Sequence, residues 1–446
     1  MADRPDRPDR IEVPGSVKDI IRLLEKHGFE AYAVGGCVRD SLLGRVPADW
    51  DITTSAHPDQ VKSIFYKTVD TGIKHGTVTV ILKGTGYEVT TFRTGDGRFA
   101  EKLEDDLAFR DFTINAMACT GSGEVIDCFA GFEDLQKGCI RGVLDPEARF
   151  REDPLRCMRA VRFSAQLGYQ IDPDTFDAVR KCVSMMGGVS PERIRTELAK
   201  LLMSDRPGYI RLLYQAGITG IFLPEFDQAQ VCEQHTPYHC YTVGEHTVRV
   251  LEAVSQLTEG KADLSLRMAA LLHDLAKPSC KTTEPGGRDH FKGHPAKGAD
   301  MAVQIMKRLK FDNTSTEKVY RLIRWHDIRL KADERLIRRA MNLVGPDLFE
   351  EYLLLQRADL EGKAEWIREA EAPIHQQVKA CADLIRERGD CVTVAMLDVS
   401  GGDLIRAGMK PGKEIGVKLA AMLDHVLDYP EHNHKEILMK LFPVET

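Results

Sequence analysis

The 446-residue sequence holds eleven cysteines but no Cys-x-x-Cys pair. An odd, unpatterned set of this kind excludes a zinc ribbon and a disulfide frame, and points to reduced thiols in a cytoplasm. No apolar run approaches the roughly 18 residues that a membrane span needs. Met1 to Arg10 is a polar Arg/Asp/Pro stretch with no apolar core, so it reads as neither signal peptide nor anchor. No Gly-Lys-Ser/Thr is present, which excludes the common NTPase phosphate loop. There is no short-period internal repeat and no low-complexity tract. An excess of positive charge is also missing: the net charge is −7, which excludes a uniform phosphate-neutralising surface.

The basic residues are clustered instead. One group is Arg149, Arg151, Arg156, Arg159 and Arg162; another is Arg321, Arg324, Arg329, Lys331, Arg335, Arg338 and Arg339. Local patches can bind nucleic acid on an acidic protein, although half of such charges are commonly solvated helix faces. The chain is too long for one ordinary core. An amphipathic helix is expected over 17–28. Strands are expected at Ala31–Val34, Trp50–Thr53, Val78–Leu82 and Glu88–Phe92, the last two joined by a turn at Gly84-Thr85-Gly86. After Asp145-Pro146 the apolar period becomes helical almost throughout, interrupted by a polar Gly/Pro loop at 279–293 and by Gly401-Gly402 and Pro411-Gly412 near the end. The fold class is therefore α+β: a head with a small mixed sheet, then an elongated all-α neck, body and tail. The divisions are a disordered tail at 1–16, a head at 17–145, a neck at 146–235, a metal-ligand helical domain at 236–362 and a tail at 363–446.

Gly35-Gly36-Cys37-Val38-Arg39-Asp40 follows a strand and opens a helix. Glycines there let backbone amides approach a phosphate closely, and the helix N-terminus adds partial positive charge. Alone, a Gly-Gly pair is more often a plain tight turn. Asp49-Trp50-Asp51 changes its meaning. On a strand, residues i and i+2 share a face. Two adjacent carboxylates repel unless cations sit between them, and oxygen ligands so held suit Mg²⁺. Glu88 on the later strand can supply a third carboxylate.

These segments, with Arg110-Asp111-Phe112-Thr113-Ile114-Asn115-Ala116-Met117-Ala118, resemble class II tRNA nucleotidyltransferases and bacterial poly(A) polymerases. The resemblance implies that Asp49, Asp51 and Glu88 are catalytic and hold two Mg²⁺. It implies that Gly35, Gly36 and Arg39 bind the triphosphate, and that Arg110, Asp111 and Asn115 hold the incoming ribose and phosphates. Asp111 can equally cap a helix running to Ala118. The family pattern has two arginines before that aspartate; here the first is Phe109, which removes one phosphate contact. Arg151-Glu152-Asp153-Pro154-Leu155-Arg156 resembles the motif with which the family selects CTP and ATP. Asp153 and Arg156 are i and i+3 neighbours, an acceptor beside a donor fork. Arg159 and Arg162 extend the same nucleotide-binding face. Asp153-Pro154 also reads as an ordinary helix start. The implied partners are a tRNA 3′ end, CTP and ATP, with no obligate protein partner. The segment 94–102 is shorter than in CCA-adding relatives, as it is in members that add only CC.

His246, His273-Asp274, His294, His326-Asp327 and Asp359 lie along the helical region. Imidazole nitrogen with carboxylate oxygen suits a divalent metal. The order resembles the HD phosphohydrolase domain, which implies His246, His273, Asp274 and Asp359 as ligands of a divalent transition metal and His294 and His326 as ligands of a second. Three readings stand: a tRNA CCA- or CC-adding transferase, a poly(A) polymerase, and an HD phosphohydrolase acting on RNA ends or nucleotides. Gly402 to Gly416 resembles a tail that grips tRNA, and reads equally as helix–helix turns.

Overall fold

The computed structural model describes residues 10–73, 76–94 and 98–444. Most of the expected tail and Gly95–Gly97 of the short loop lie outside the described residues. The chain forms two compact units: 1–201 with 209–221, and 202–208 with 222–446.

The first unit is built on a seven-stranded mixed sheet. Its strands are β1 (Ala31–Val34), β2 (Ile52–Thr54), β3 (Thr68–Gly72), β4 (Thr77–Leu82), β5 (Thr85–Thr91), β6 (Met117–Cys119) and β7 (Val125–Asp127). Their order is β3-β4-β5-β2-β1-β6-β7, and β2 with β5 is the parallel pair. Helix Gly15–Lys26 packs Val17, Ile20, Ile21 and Leu24 into the core. The β4–β5 turn sits at Lys83-Gly84, not at Gly84-Thr85-Gly86. Both residues have positive φ (52° and 85°), the two-residue geometry that matches strand twist, and Leu82 pairs with Thr85.

Two further expectations change. Strand β2 begins at Ile52, so Asp49 and Asp51 lie in the extended approach to the strand. Pairing begins only where Ala33 meets Ile52, although Val34 N already donates to Asp51 O at 3.0 Å. Asp111 does not cap a helix to Ala118: only a single turn, Thr113–Asn115, forms before β6 starts. Pairing of Val34 with Ala118 holds that stretch extended.

After the sheet, helix Pro146–Glu152 is capped by Asp145, whose carboxylate accepts from Glu147 N and Ala148 N. Asp153 then breaks the chain direction before helix Leu155–Leu167, most of whose residues are buried. Helix Pro191–Leu202 completes the part of this unit that matters for the site.

The second unit is helical. Val243–Leu257, Leu264–Leu272, Asn313–Trp325 and Phe349–Glu361 pack on one another, and His294–Arg308 packs on Asn313–Trp325. The 279–293 loop contains a two-residue hairpin, Thr282–Thr283 with Asp289–His290. Gly401 and Gly402 do not break a helix; they open one, because Ser400 and Asp403 form a reciprocal cap. Most of the second basic cluster is spent on ion pairs: Arg321 with Asp347, Arg335 and Arg339 with Asp428, and Arg338 with Asp390. Those four are structural, not part of a free cationic patch.

Arg267 is fully buried. Its guanidinium donates to Leu202 O (2.5 Å), Ser204 O (3.1 Å), Gly260 O (2.8 Å) and Ala262 O (3.3 Å), tying 202–208 to the helices of this unit. Arg267→Ala leaves these carbonyls without their donor. Loss of about 3 kcal/mol or more is expected, read as a lower urea midpoint for the unfolding of this unit.

Candidate active site and metal centre

The sheet register assembles the head site. Because β1 and β2 run antiparallel, the end of β1 lies beside the start of β2, and Gly35 follows as Asp51 precedes. Because β2 and β5 are parallel with Ile52 opposite Val89, Glu88 precedes its pair as Asp51 precedes its own. Glycine turn, Asp51 and Glu88 therefore meet at one level of the sheet, and Asp49 lies close enough to act on Asp51. Burial, then Asp49 and Glu88, pushes Asp51 up to about 6, with Arg110 acting the other way. A carboxyl raised by burial and two neighbouring carboxylates is one that a cation would relieve. The three acids fit Mg²⁺ in this respect. Their oxygens are not drawn into as tight a group as the histidine cluster described below, among the described residues.

Gly35 adopts φ +84°. A Cβ there would lie 2.8 Å from Arg110 Nη1, so the guanidinium rests against the bare turn. Arg110 Nε is buried with no partner among the described residues, and its Nη2 reaches Asp106 only at 3.5 Å. It retains donors for an anion.

Arg39, Asn115 and Asp111 are buried and bonded to one another. Arg39 Nη1 donates to Asn115 Oδ1 (2.6 Å), Asn115 Nδ2 donates to Asp111 Oδ1 (3.0 Å), and Arg159 Nε donates to Asp111 Oδ2 (2.7 Å). Burial disfavours the Asp111 charge, but Arg159 and these donors outweigh it and hold the carboxyl well below the usual range. Arg162 is not in the cavity lining; its Nε donates to buried Glu197 at 2.5 Å.

A cavity of about 480 Å³ opens on Arg110, Asp111, Asp153, Arg156 and Arg159, with Asp106, Phe109 and Arg193 in its wall. Asp153 and Arg156 share it but do not bond each other. Asp153 Oδ2 takes Arg193 Nη2 at 2.7 Å; Arg156 donates to Phe109 O (2.9 Å) and Glu152 Oε2 (3.1 Å). Phe109 also lies under Arg149, with the guanidinium carbon 4.6 Å from the ring centroid, so a stacking contact stands where the family has a second arginine. Sequence reasoning missed Arg193 and Asp106. Arg193 stands forty residues from its partner with no motif linking them. Asp106 accepts from Thr53 Oγ1 (3.0 Å) and Arg93 N (3.1 Å), which only the fold brings together.

In the second unit, the predicted histidines and acids converge. His246, His273, Asp274 and Asp359 form one group, and Asp274, His294 and His326 another. Every imidazole uses Nδ1 on a carbonyl: His246 on Gly362 O (3.0 Å), His273 on Ala270 O (2.8 Å), His294 on Phe291 O (2.8 Å) and His326 on Ile323 O (2.7 Å). A carbonyl can only accept, so Nδ1 carries the hydrogen. Nε2 is left as a lone pair facing the acids when the ring is neutral, the arrangement that aims a histidine at a metal. His273 Nε2 and Asp274 Oδ2 are buried 3.2 Å apart, and Asp274 Oδ1 faces His294 Nε2 at 3.4 Å and His326 Nε2 at 3.6 Å. The donor set fits a divalent metal, and Asp274 belongs to both groups. Burial opposes charge on His273, but Asp274 and Asp359 prevail and push it up to about 10; a proton there answers the same negative field that a cation would. Lys277 and Lys363 each place an ammonium 2.6 Å from Asp274 and Asp359. Their i+3 and i+4 spacing from those acids was a readable signal.

A mixed-sheet head with a glycine turn beside an acid trio, joined to helices that gather histidines and aspartates, defines a nucleotidyltransferase carrying an HD domain. The Poly A polymerase head domain family matches residues 31–141, the family of the probable RNA and SrmB-binding site of polymerase A matches 168–230, and the HD domain family matches 243–362. The CCA-adding enzyme of Lactiplantibacillus plantarum is 48% identical over 216 residues, 46% of this chain and 51% of that protein; over this match the chain spans about half its relative's length. That of Levilactobacillus brevis is 33% identical over 452 residues, 97% of both chains. The Bacillus stearothermophilus CCA-adding enzyme in complex with CTP has a similar structure, with a TM-score of 0.70 and 30% identity, covering 95% of this chain and 96% of that one. The chain belongs to the class II CCA-adding enzyme family.

Asp51 gives the head a pH signature. Its folded value, about 6, lies above the ordinary 3.8. A raised acid favours folding while protonated, so this contribution is lost as pH rises through about 6. Without divalent cation, Asp51→Asn should therefore raise Tm at pH 7.5 and leave it unchanged at pH 4. Added Mg²⁺ should stabilise the wild type alone. Equal shifts at both pH values would contradict the acid cluster.

Proposed function

We propose that the chain adds the 3′-terminal CCA to tRNA from CTP and ATP without a nucleic-acid template. The carrying observation is the sheet register that brings Asp51 and Glu88 to the level of the Gly35 turn, with Asp49 acting on the same charge. Asp49, Asp51 and Glu88 would hold Mg²⁺, whose chemistry there is to acidify the RNA 3′-hydroxyl and neutralise the pyrophosphate that departs. The chain's own part is placement. The amides at Gly35 and Gly36 and the spare donors of Arg110 receive the triphosphate. The 3′-oxygen forms its bond to the α-phosphorus as the bond to pyrophosphate breaks. Asp111 and Asn115, fixed by Arg159 and Arg39, hold the wall against which the ribose rests.

Base choice falls to Asp153 and Arg156. A carboxylate accepts from the exocyclic amine of cytosine or adenine, and a guanidinium donates to ring acceptors; uracil and guanine present the opposite pattern. The nucleotide must displace Arg193 from Asp153 and Glu152 from Arg156. In a poly(A) polymerase the same head would add only A. The relatives matched over nearly the whole length are CCA-adding enzymes, which favours CCA. No helix among the described residues is long and apolar enough to cross a membrane, and the free cysteines fit a cytoplasmic protein.

The HD cluster supports a second activity, metal-dependent hydrolysis of a phosphoester, carried by the convergence of four imidazoles on Asp274 and Asp359. His246, His273, Asp274 and Asp359 would hold one divalent metal, and Asp274, His294 and His326 a second. Such metals supply an activated water.

A tRNA lacking its terminus, offered CTP and ATP, should yield products that sequence as CCA; a product ending in CC with ATP unused would reassign the chain to CC addition. Asp49→Ala with Asp51→Ala should abolish transfer and leave hydrolysis of a 2′,3′-cyclic nucleotide intact. Asp153→Ala should keep metal binding yet admit UTP and GTP into the product. Continued exclusion of both by this variant would remove Asp153 from base selection.

A further inference from the structure

The cavity beside the HD ligands, about 310 Å³, extends well past them. That size falls at the lower end of small-molecule sites. Its inner end holds Asp274, His294, His326 and Asp359; its mouth holds Tyr238, Arg288 and Arg329. Hydrolysis of a bare phosphate ester needs only the inner end. The mouth is built from three separate segments, and no motif of the HD resemblance includes it.

Tyr238 is half-buried and held from behind. Its carbonyl accepts from Ala364 N at 3.0 Å, and the neighbouring Pro237 O accepts from Trp366 Nε1 at 3.2 Å. The Trp366 ring packs on it with centroids 6.0 Å apart, tilted by 37°. The guanidinium carbons of Arg288 and Arg329 each lie 5.8 Å from the Tyr238 centroid. An aromatic ring with guanidinium groups close by is the kind of surface on which unstacked nucleobases lie. Asp327 and Glu371 share the wall, so the mouth is no simple anion trap. A ligand with a phosphate at one end and a neutral polar base at the other fits it better than an anion alone.

We propose that Tyr238, with Arg288 and Arg329, forms a nucleobase platform, so that the HD pocket takes a nucleoside phosphate in preference to a bare phosphomonoester. This rests on the hydrolase reading for its chemistry but not for its binding. Two measurements on the full-length chain test it. In saturation-transfer NMR on a chain whose head base site is removed by Arg156→Ala, adenosine 3′-phosphate should receive saturation at its base protons with Tyr238 or Tyr238→Phe in place, and lose it with Tyr238→Ala. With Mn²⁺, KM for adenosine 3′-phosphate should rise about tenfold in Tyr238→Ala, the loss typical of one stacked base. KM for glycerol 2-phosphate, which has no base, should stay constant. Base-proton saturation that survives Tyr238→Ala, or an equal KM rise for both esters, overturns the platform. If the wild type hydrolyses neither ester with Mn²⁺, Ni²⁺ or Co²⁺, the hydrolase reading fails, while saturation lost in Tyr238→Ala still upholds the platform.

Discussion

The head depends on one buried relay of charge. It runs from Arg39, on the helix after the glycine turn, through Asn115 and Asp111 to Arg159 on helix Leu155–Leu167, and its links are 2.6, 3.0 and 2.7 Å long. Glu197 lies 3.8 Å beyond Arg159 and takes the buried Arg162. Arg39, Asp111, Arg162 and Glu197 are buried and would be costly alone, while Arg159 is partly exposed at the cavity. Together they satisfy one another, and they fix the helix that carries Arg156 relative to the sheet that carries the acids. Breaking the relay at Asp111 would leave Arg159 and Asn115 without their acceptor in a low-dielectric interior, where removing one partner costs more than the pair contributes.

That relay explains why residues expected to touch the nucleotide are largely committed to the protein. Arg39 and Asn115 spend their side chains on each other, and Asp111 accepts from both sides. What they do for a ligand is hold a wall still. Pre-organisation of this kind removes the reorganisation that would otherwise be required when charge develops on the phosphates. Arg110 is the exception, lying against the Gly35 turn with an unpartnered Nε.

Much of this was legible in the sequence. The glycine pair, the acid pair and the histidine series announced themselves through residue type and spacing, and the change from strand to helix period came close to where the sheet ends. Legibility failed where side chains met across long separations. Asp153 reads as a helix start, and it does accept from Leu155 N at 3.3 Å; nothing in the chain says that Arg193 will claim its other oxygen. The Asp111 helix was mistaken because local capping propensity was outweighed by pairing of β6 with β1, a tertiary constraint. The second basic cluster looked like an RNA surface because its acidic partners, Asp347, Asp390, Asp424 and Asp428, lie up to ninety-odd positions away. The histidines were the opposite case. Each Nδ1 carbonyl belonging to His273, His294 and His326 lies three residues back, so helical geometry aims His273 and His326 and a local turn aims His294.

The arginine pairings also bear on how an acidic chain can handle a polyanion. The nucleotide cavity is lined by five arginines, but four acids line it too. Its field is therefore nearly neutral until a ligand arrives. A triphosphate at Arg110 competes with few internal partners, whereas a base at Asp153 must exchange for Arg193 and one at Arg156 for Glu152. Exchange of partners returns little net energy when the new bond only equals the old one, because both states are hydrogen-bonded. A base that satisfies both side chains at once offsets both losses. One that presents donor where acceptor is needed leaves Asp153 or Arg156 unpaired in a cavity that excludes much of the water, and that mismatch carries the larger penalty. Discrimination then comes from what the wrong base fails to replace, which is how a site without a template can read two bases and refuse two others.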